Sequence, residues 1–133
     1  RALQLSASGG LELYERIAAA LAALPKVDWT AAHALSDQLA LAANEQRFEA
    51  FYDLLLDTLA RLAAVRARGQ GQQTGEPDER ALAERLMPEH RLAAWAAVWE
   101  EILRDKTEAQ ELNLDRKALI LGAFARLEAV ARS

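Results

Sequence analysis

The sequence predicts an all-α domain, folded as a single bundle of about six helices. Apolar residues recur at helical spacing through most of its 133 residues. The chain has no stretch of alternating, β-branched residues of the kind that indicates a strand. Hydrophobic residues make up 52% of the chain and charged residues 27%, so the sequence can supply both a core and a solvated surface.

Three helices are predicted in the first half of the chain, over residues 11–24, 29–43 and 46–68. Pro25 stops the first helix, Asp28 is expected to cap the second, and Asn44 breaks the pattern after it. The third helix is apolar on most of its sides. That pattern is typical of a helix at the centre of a bundle or of one that lies between partner molecules.

The segment GQGQQTGEPDE, residues 69–79, lacks apolar residues and predicts a flexible loop that crosses the domain. Asp78 is expected to cap a short helix that ends near Met87, and Pro88 to occupy the first turn of the next helix. That helix carries an apolar seam of Leu92, Trp95, Trp99, Ile102 and Leu103. The last helix is predicted to begin at Asn113 or Leu114, with Asn113 as its cap.

The residues predict no catalytic, cofactor or metal site. The chain has no cysteine, and its two histidines, His33 and His90, fall on different predicted helices without a partner at metal-ligand spacing. Glu100 and Glu101 are adjacent, so their side chains point about 100° apart and do not converge. A net charge of −4 argues against a domain whose main task is to bind phosphates.

No apolar run reaches the roughly 20 residues of a membrane span. We therefore expect no membrane contact. The absence of cysteine is compatible with the cytoplasm, where we expect the protein to be located. The only methionine is Met87, and the sequence starts with RALQL and no initiator. We expect the chain to be a piece of a larger protein.

Residues 1–17 and residues 113–128 resemble two segments of the delta prime subunit of bacterial DNA polymerase III, a member of the clamp-loader family. The opening RALQLSASGGLELYERI, residues 1–17, resembles the junction that follows the AAA+-like module of that subunit. The closing NLDRKALILGAFARLE, residues 113–128, resembles its last helix, and RFEAFYDLLLDTLARL, residues 47–62, fits the style of its C-terminal domain. Together these segments span nearly the whole chain in the expected order.

The resemblance implies that residues 1–10 are a remnant of the preceding module and junction, and that residues 11–133 form the helical collar domain. The collar would join the gamma/tau and delta subunits, and would reach DNA and the sliding clamp only through the whole complex. Its candidate interface residues lie on the last helix: Arg116, Leu119, Arg126 and Val130. Self-association of the isolated fragment is also possible.

The sequence leaves one other function open, and it also leaves open how two apolar surfaces are used. A helical regulatory domain would bind a small ligand in a pocket near Trp95 and Trp99, although two tryptophans at this spacing are more often core anchors. The broad apolar surfaces of residues 46–62 and 119–130 fit either contact with neighbouring subunits or burial within the chain.

Overall fold

The computed structural model describes residues 10–68 and 77–132 and confirms the all-α class. Six α-helices occur in these ranges: α1 Gly10–Ala23, α2 Trp29–Leu39, α3 Glu45–Arg68, α4 Pro77–Leu86, α5 Leu92–Leu112 and α6 Arg116–Arg132. Single 3₁₀ turns, Ala42–Asn44 and Glu89–Arg91, precede α3 and α5. Of the junction predicted at residues 1–10, residues 1–9 lie outside the described residues, and so do residues 69–76 of the predicted loop.

Helix α3 is the centre of the bundle and packs against α1, α4 and α5, while α6 packs between α2 and α5. Helix α5 runs antiparallel to α3, because Lys106 near its end binds Glu49 near the start of α3, and Trp99 binds Leu56 further along. The helical bundle therefore has two distinct ends, each formed by a different set of helix termini. Helices α1, α3 and α6 begin at one end, where α2 and α5 finish.

The apolar spread of α3 is used within the chain. Phe48, Phe51 and Tyr52 are almost completely buried, and Leu54 and Leu55, on adjacent sides of the helix, are buried as well. A helix surrounded by α1, α4 and α5 needs apolar residues on most sides. Of the two accounts of this pattern, burial within the chain explains residues 46–62.

Two predicted boundaries in the middle of the chain are wrong by a few residues. Helix α2 ends at Leu39 rather than near residue 43, and the side-chain amide of Asn44 donates to the carbonyl of Gln38 in its last turn. The predicted loop reached residue 79, but α4 begins at Pro77, where the fixed φ of proline suits the first helical position.

The prediction that Asn113 caps the last helix is also wrong. Asn113 has a φ of 55° and terminates α5 in the left-handed conformation, and the following amide, of Leu114, donates to the carbonyl of Ala109. The cap of α6 is Asp115, whose carboxylate accepts from the amide of Lys117 at 3.0 Å. The predicted cap of α2 is confirmed, because Asp28 accepts from the amide of Ala31 at 3.2 Å.

Candidate functional site

Two of the four predicted interface residues are arginines, and both make contacts within the chain. Arg126 binds Asp105 at 2.7 Å and Glu101 at 2.8 Å, which fastens α6 to α5. The guanidinium of Arg116 lies 4.9 Å from the centre of the Phe48 ring, a cation–π contact between α6 and α3. Both side chains remain about one-third exposed, so they can still contribute to the surface.

The two apolar members of the predicted set differ in burial. Val130 is buried, and its carbonyl accepts a hydrogen bond from Arg91 at 3.1 Å. Leu119 is half-buried against the core. The structure therefore places the four residues along one helix, with Leu119 near its start and Val130 near its end.

A shallow apolar groove of about 350 Å³ lies beside the two tryptophans, between α3 and α5. Trp95 is buried and donates its indole N–H to the carbonyl of Leu86 at 2.9 Å. Trp99 is half-buried and donates to the carbonyl of Leu56 at 2.9 Å. Both indoles thus serve as core anchors with satisfied N–H groups, and both side chains line the groove together with alanines of α3.

A larger open groove, about 1220 Å³, lies between α1, α3 and α4, and contains a polar cluster that the sequence did not indicate. Glu79 of α4 is only 7% exposed. It accepts from the Tyr14 hydroxyl at 2.5 Å, and from two nitrogens of Arg61 at 3.0 and 3.3 Å. Sequence reasoning missed this cluster because it assigned Glu79 to the loop.

The electrostatics of this cluster favour a charged Glu79. Burial alone would raise the pKa of Glu79, but hydrogen bonds from Arg61 and Tyr14, together with the charge of Arg61, lower it overall. Burial and the neighbouring carboxylate raise the pKa of the Tyr14 phenol. The cluster is thus a carboxylate held by a cation and a neutral hydroxyl, with its hydrogen bonds made inside the protein.

Four strongly exposed leucines lie at the end of the bundle where α1, α3 and α6 begin: Leu11 at 66%, Leu41 at 58%, Leu112 at 63% and Leu114 at 51% exposure. Ion pairs join the helix termini there, Glu12 to Arg47 and Asp37 to Lys117. We call this end, with these four residues, the leucine end. The feature of the sequence that could have indicated these exposed residues is a leucine at a helix terminus or turn, outside the apolar face of the helix.

The opposite end has a different chemistry. Arg85 donates to the carbonyls of Ala22 and Leu24 at 2.7 Å, at the end of α1. Arg66 donates to the carbonyl of Met87 at 3.1 Å, just after α4, and Arg91 donates into the last turn of α6. We call this end, defined by Arg66, Arg85 and Arg91, the arginine end.

Within residues 10–68 and 77–132, no three His, Asp or Glu side chains come together as a metal-binding group. His33 and His90 are both exposed and belong to different parts of the bundle. Glu100 and Glu101 diverge as predicted, since Glu101 binds Arg126 and Glu100 borders the tryptophan groove. No helix in the described part of the chain is long and apolar enough to cross a membrane.

Comparison with known proteins identifies no relative: no family model, no curated protein and no solved structure matches this chain.

Proposed function

We propose that this chain is the C-terminal collar domain of a DNA polymerase III delta prime subunit, a non-catalytic domain that holds the subunit in the clamp loader. The observation that carries this proposal is the resemblance of residues 113–128 to the last helix of that subunit, together with that of residues 1–17 to its junction. The helical bundle supports the proposal because the collar of that family is all-α.

The proposed partners are the gamma/tau and delta subunits, met through their own collar domains in the cytoplasm. DNA and the sliding clamp would be reached only through the whole complex, and the domain itself would need no cofactor. Many of the described arginine and lysine side chains bind carboxylates or backbone carbonyls within the chain. This supports a protein-contacting rather than a phosphate-binding domain.

The surface that we propose for a neighbouring subunit is the exposed start of α6. Leu119 is half-buried, and Leu114 in the preceding turn is 51% exposed. Arg116 lies between them in sequence and combines a partly exposed guanidinium with its contact to Phe48. Arginine is enriched in protein interfaces, and the buried centres of interfaces are more apolar than the rest of the protein surface.

The test is to mix this chain with the C-terminal collar domain of a gamma/tau subunit and to measure the mass of the product by light scattering after gel filtration. We expect a mixed oligomer that Leu119→Ser weakens. Leu103→Ser is the matched control, because Leu103 is 38% exposed in the middle of α5. Two separate peaks at concentrations on the order of tens of micromolar would contradict the proposal.

A second candidate function rests on the tryptophan groove, which would bind a small apolar ligand beside Trp95 and Trp99. Its volume of about 350 Å³ is at the lower end of the usual range for ligand pockets. The test is a change of tryptophan emission with an apolar aromatic compound. Ala64→Leu, which fills the groove, should abolish the change. Ala97→Leu, at an exposed position of α5 that does not line the groove, should preserve it.

A further inference from the structure

The two ends of the bundle carry opposite charge. The leucine end comprises the first or last four residues of five helices and the turns between them, residues 10–13, 36–48 and 109–119. Its carboxylates exceed its cations by two, five against three: Glu12, Asp37, Glu45, Glu111 and Asp115 against Arg47, Arg116 and Lys117. Glu12, Glu111 and Asp115 are sequence neighbours of three of the exposed leucines, and we call the carboxylates of this end its acidic rim.

The arginine end has the reverse balance. We take this end as residues 20–32, 65–67, 83–95 and 129–132. The described side chains in these ranges include five cations, Lys26, Arg66, Arg85, Arg91 and Arg132, and three carboxylates, Asp28, Glu84 and Glu89. Arg66 and Arg85 bind backbone carbonyls, which carry no net charge. Those hydrogen bonds therefore leave the positive charges of Arg66 and Arg85 in place, whereas Arg132 pairs with Glu128, one turn earlier on α6, at 3.4 Å.

Helix dipoles account for part of this distribution. Acidic residues near the starts of α1, α3 and α6, and arginines near the ends of α1 and α6, stabilise the termini that they adjoin. The dipoles do not account for the exposed leucines, which gain nothing from a helix terminus. A surface that combines exposed leucines with an acidic rim is complementary to an apolar surface with a basic rim.

The arginine end offers such a surface. Ala22, Ala23 and Pro25 are exposed there, with half-buried Val27 and Trp29 beside them. The aliphatic stems of the arginines add further apolar area around these residues. We infer that the leucine end of one copy docks on the arginine end of another, so that copies of this chain associate head to tail.

This inference does not depend on the proposed function, since it needs no other subunit. A head-to-tail contact joins two different surfaces, so it leaves one free surface of each kind at the two ends of the product. The described exposed leucines are few, and the charges that surround them are solvated. We therefore expect a weak contact, with a dissociation constant on the order of 100 µM.

The first measurement is sedimentation velocity of the whole chain from about 10 to 500 µM, at low salt and at high salt. We expect the average mass to rise with concentration and to pass that of a dimer. Because the rims are solvated, salt should weaken the association several-fold. A monomer at every concentration would overturn the inference.

Two variants separate the two surfaces. Leu41→Ser with Leu112→Ser removes two leucines of the leucine end, and Lys26→Glu with Arg132→Glu reverses two exposed cations of the arginine end. We expect each pair to weaken association about tenfold or more. The matched controls, Leu103→Ser and Arg104→Glu, lie in the middle of α5 and should leave association unchanged; an equal loss in either control would overturn the inference.

Mixing the two variants gives the decisive result. Each keeps one intact surface, so the mixture should form a heterodimer and stop there, although neither variant associates alone. If the arginine-end variant associates as well as the original chain, the contact joins two leucine ends and the head-to-tail inference is wrong. Leu11→Ser with Leu114→Ser is a second leucine-end variant for the same mixture, and circular dichroism checks that each variant is folded.

Discussion

At the arginine end, guanidinium groups donate to backbone carbonyls of other helices, whereas at the leucine end charged side chains pair with one another in solvent. Arg85 reaches α1 across 61 residues of chain and Arg91 reaches α6 across 39. The leucine-end pairs Glu12–Arg47 and Asp37–Lys117 also join different helices, but their carboxylates are more than 60% exposed.

Because of this difference, one end contributes more to the stability of the fold, and the side chains of the other end are freer to change partners. A cation on a carbonyl at the end of a helix adds a hydrogen bond that the helix itself does not supply, so its loss removes a contact between two elements of the protein. An exposed ion pair can exchange its partner for water at little cost. The arginine end therefore contributes more to folding, while the leucine end can change its contacts without loss of the fold.

The largest effect is expected from Arg85→Ala. The substitution leaves carbonyls of Leu21, Ala22 and Leu24 without the guanidinium, and we expect it to lower the free energy of unfolding by about 2 kcal/mol. Urea denaturation followed by circular dichroism measures this change. Arg104→Ala, an exposed arginine in the middle of α5, is the control; a loss of similar size there would show that general charge, rather than the carbonyl contacts, is responsible.

The existence of the six helices could be predicted because each carries an apolar face at helical spacing. Leu13, Ile17 and Leu21 of α1 are buried as that spacing indicates, and so are Ile120, Phe124 and Leu127 of α6. The apolar seam predicted for α5 includes Leu103, but this residue is 38% exposed, because Ile102 beside it is buried in the core instead. Periodicity thus predicts the core well and its margins poorly.

The ends of helices were harder to predict, because the same residues favour several conformations. Asparagine is suited both to an N-cap and to a left-handed terminus, and Asn113 takes the second role. The Glu79 cluster and the arginine–carbonyl contacts join residues far apart in sequence, which no local pattern reports. The leucine end shares that difficulty, since its four leucines lie at helix ends that only the antiparallel packing brings to one side of the bundle.

Glu79→Gln tests how much the second contact of α4 contributes to stability. Glu79 binds neighbouring helices near the start of α4, as Arg85 does near its end. The amide keeps the shape but loses the charged hydrogen bonds to Arg61 and Tyr14, so we expect a loss of about 1.5 kcal/mol at pH 7. The matched control is Glu84→Gln, on the exposed side of the same helix, which should change stability little.

The pH dependence of Glu79 has a definite sign. Its pKa in the folded protein is lowered from the ordinary value of 4.5, so the carboxylate stabilises the fold above that pH. The stabilisation is lost as the pH falls below about 4.5 and through the folded pKa. The difference between the original chain and Glu79→Gln should therefore shrink in acid; a difference that stays constant from pH 7 to acid would contradict this account.

Tyr52→Phe tests the core between the two ends and should stabilise the protein. Tyr52 is fully buried in α3, and its hydroxyl has no hydrogen-bond partner among the described residues. Phenylalanine keeps the ring contacts with Phe48 and Phe51 and removes the unsatisfied group, so we expect a gain of up to about 1 kcal/mol. The denaturation midpoint measures it, and a loss of 1 kcal/mol or more would indicate an ordered water on that hydroxyl.

The smallest effect is expected at the leucine end itself. A double-mutant cycle of Glu12→Gln and Arg47→Gln should give no coupling energy beyond the error of the measurement, although the two groups are 2.9 Å apart. The reason is solvent: the Glu12 side chain is 63% exposed, so water replaces the lost partner. A coupling as large as the loss caused by Glu79→Gln would mean that the leucine end is held as firmly as the arginine end, and that its surface is less free to exchange contacts than we infer.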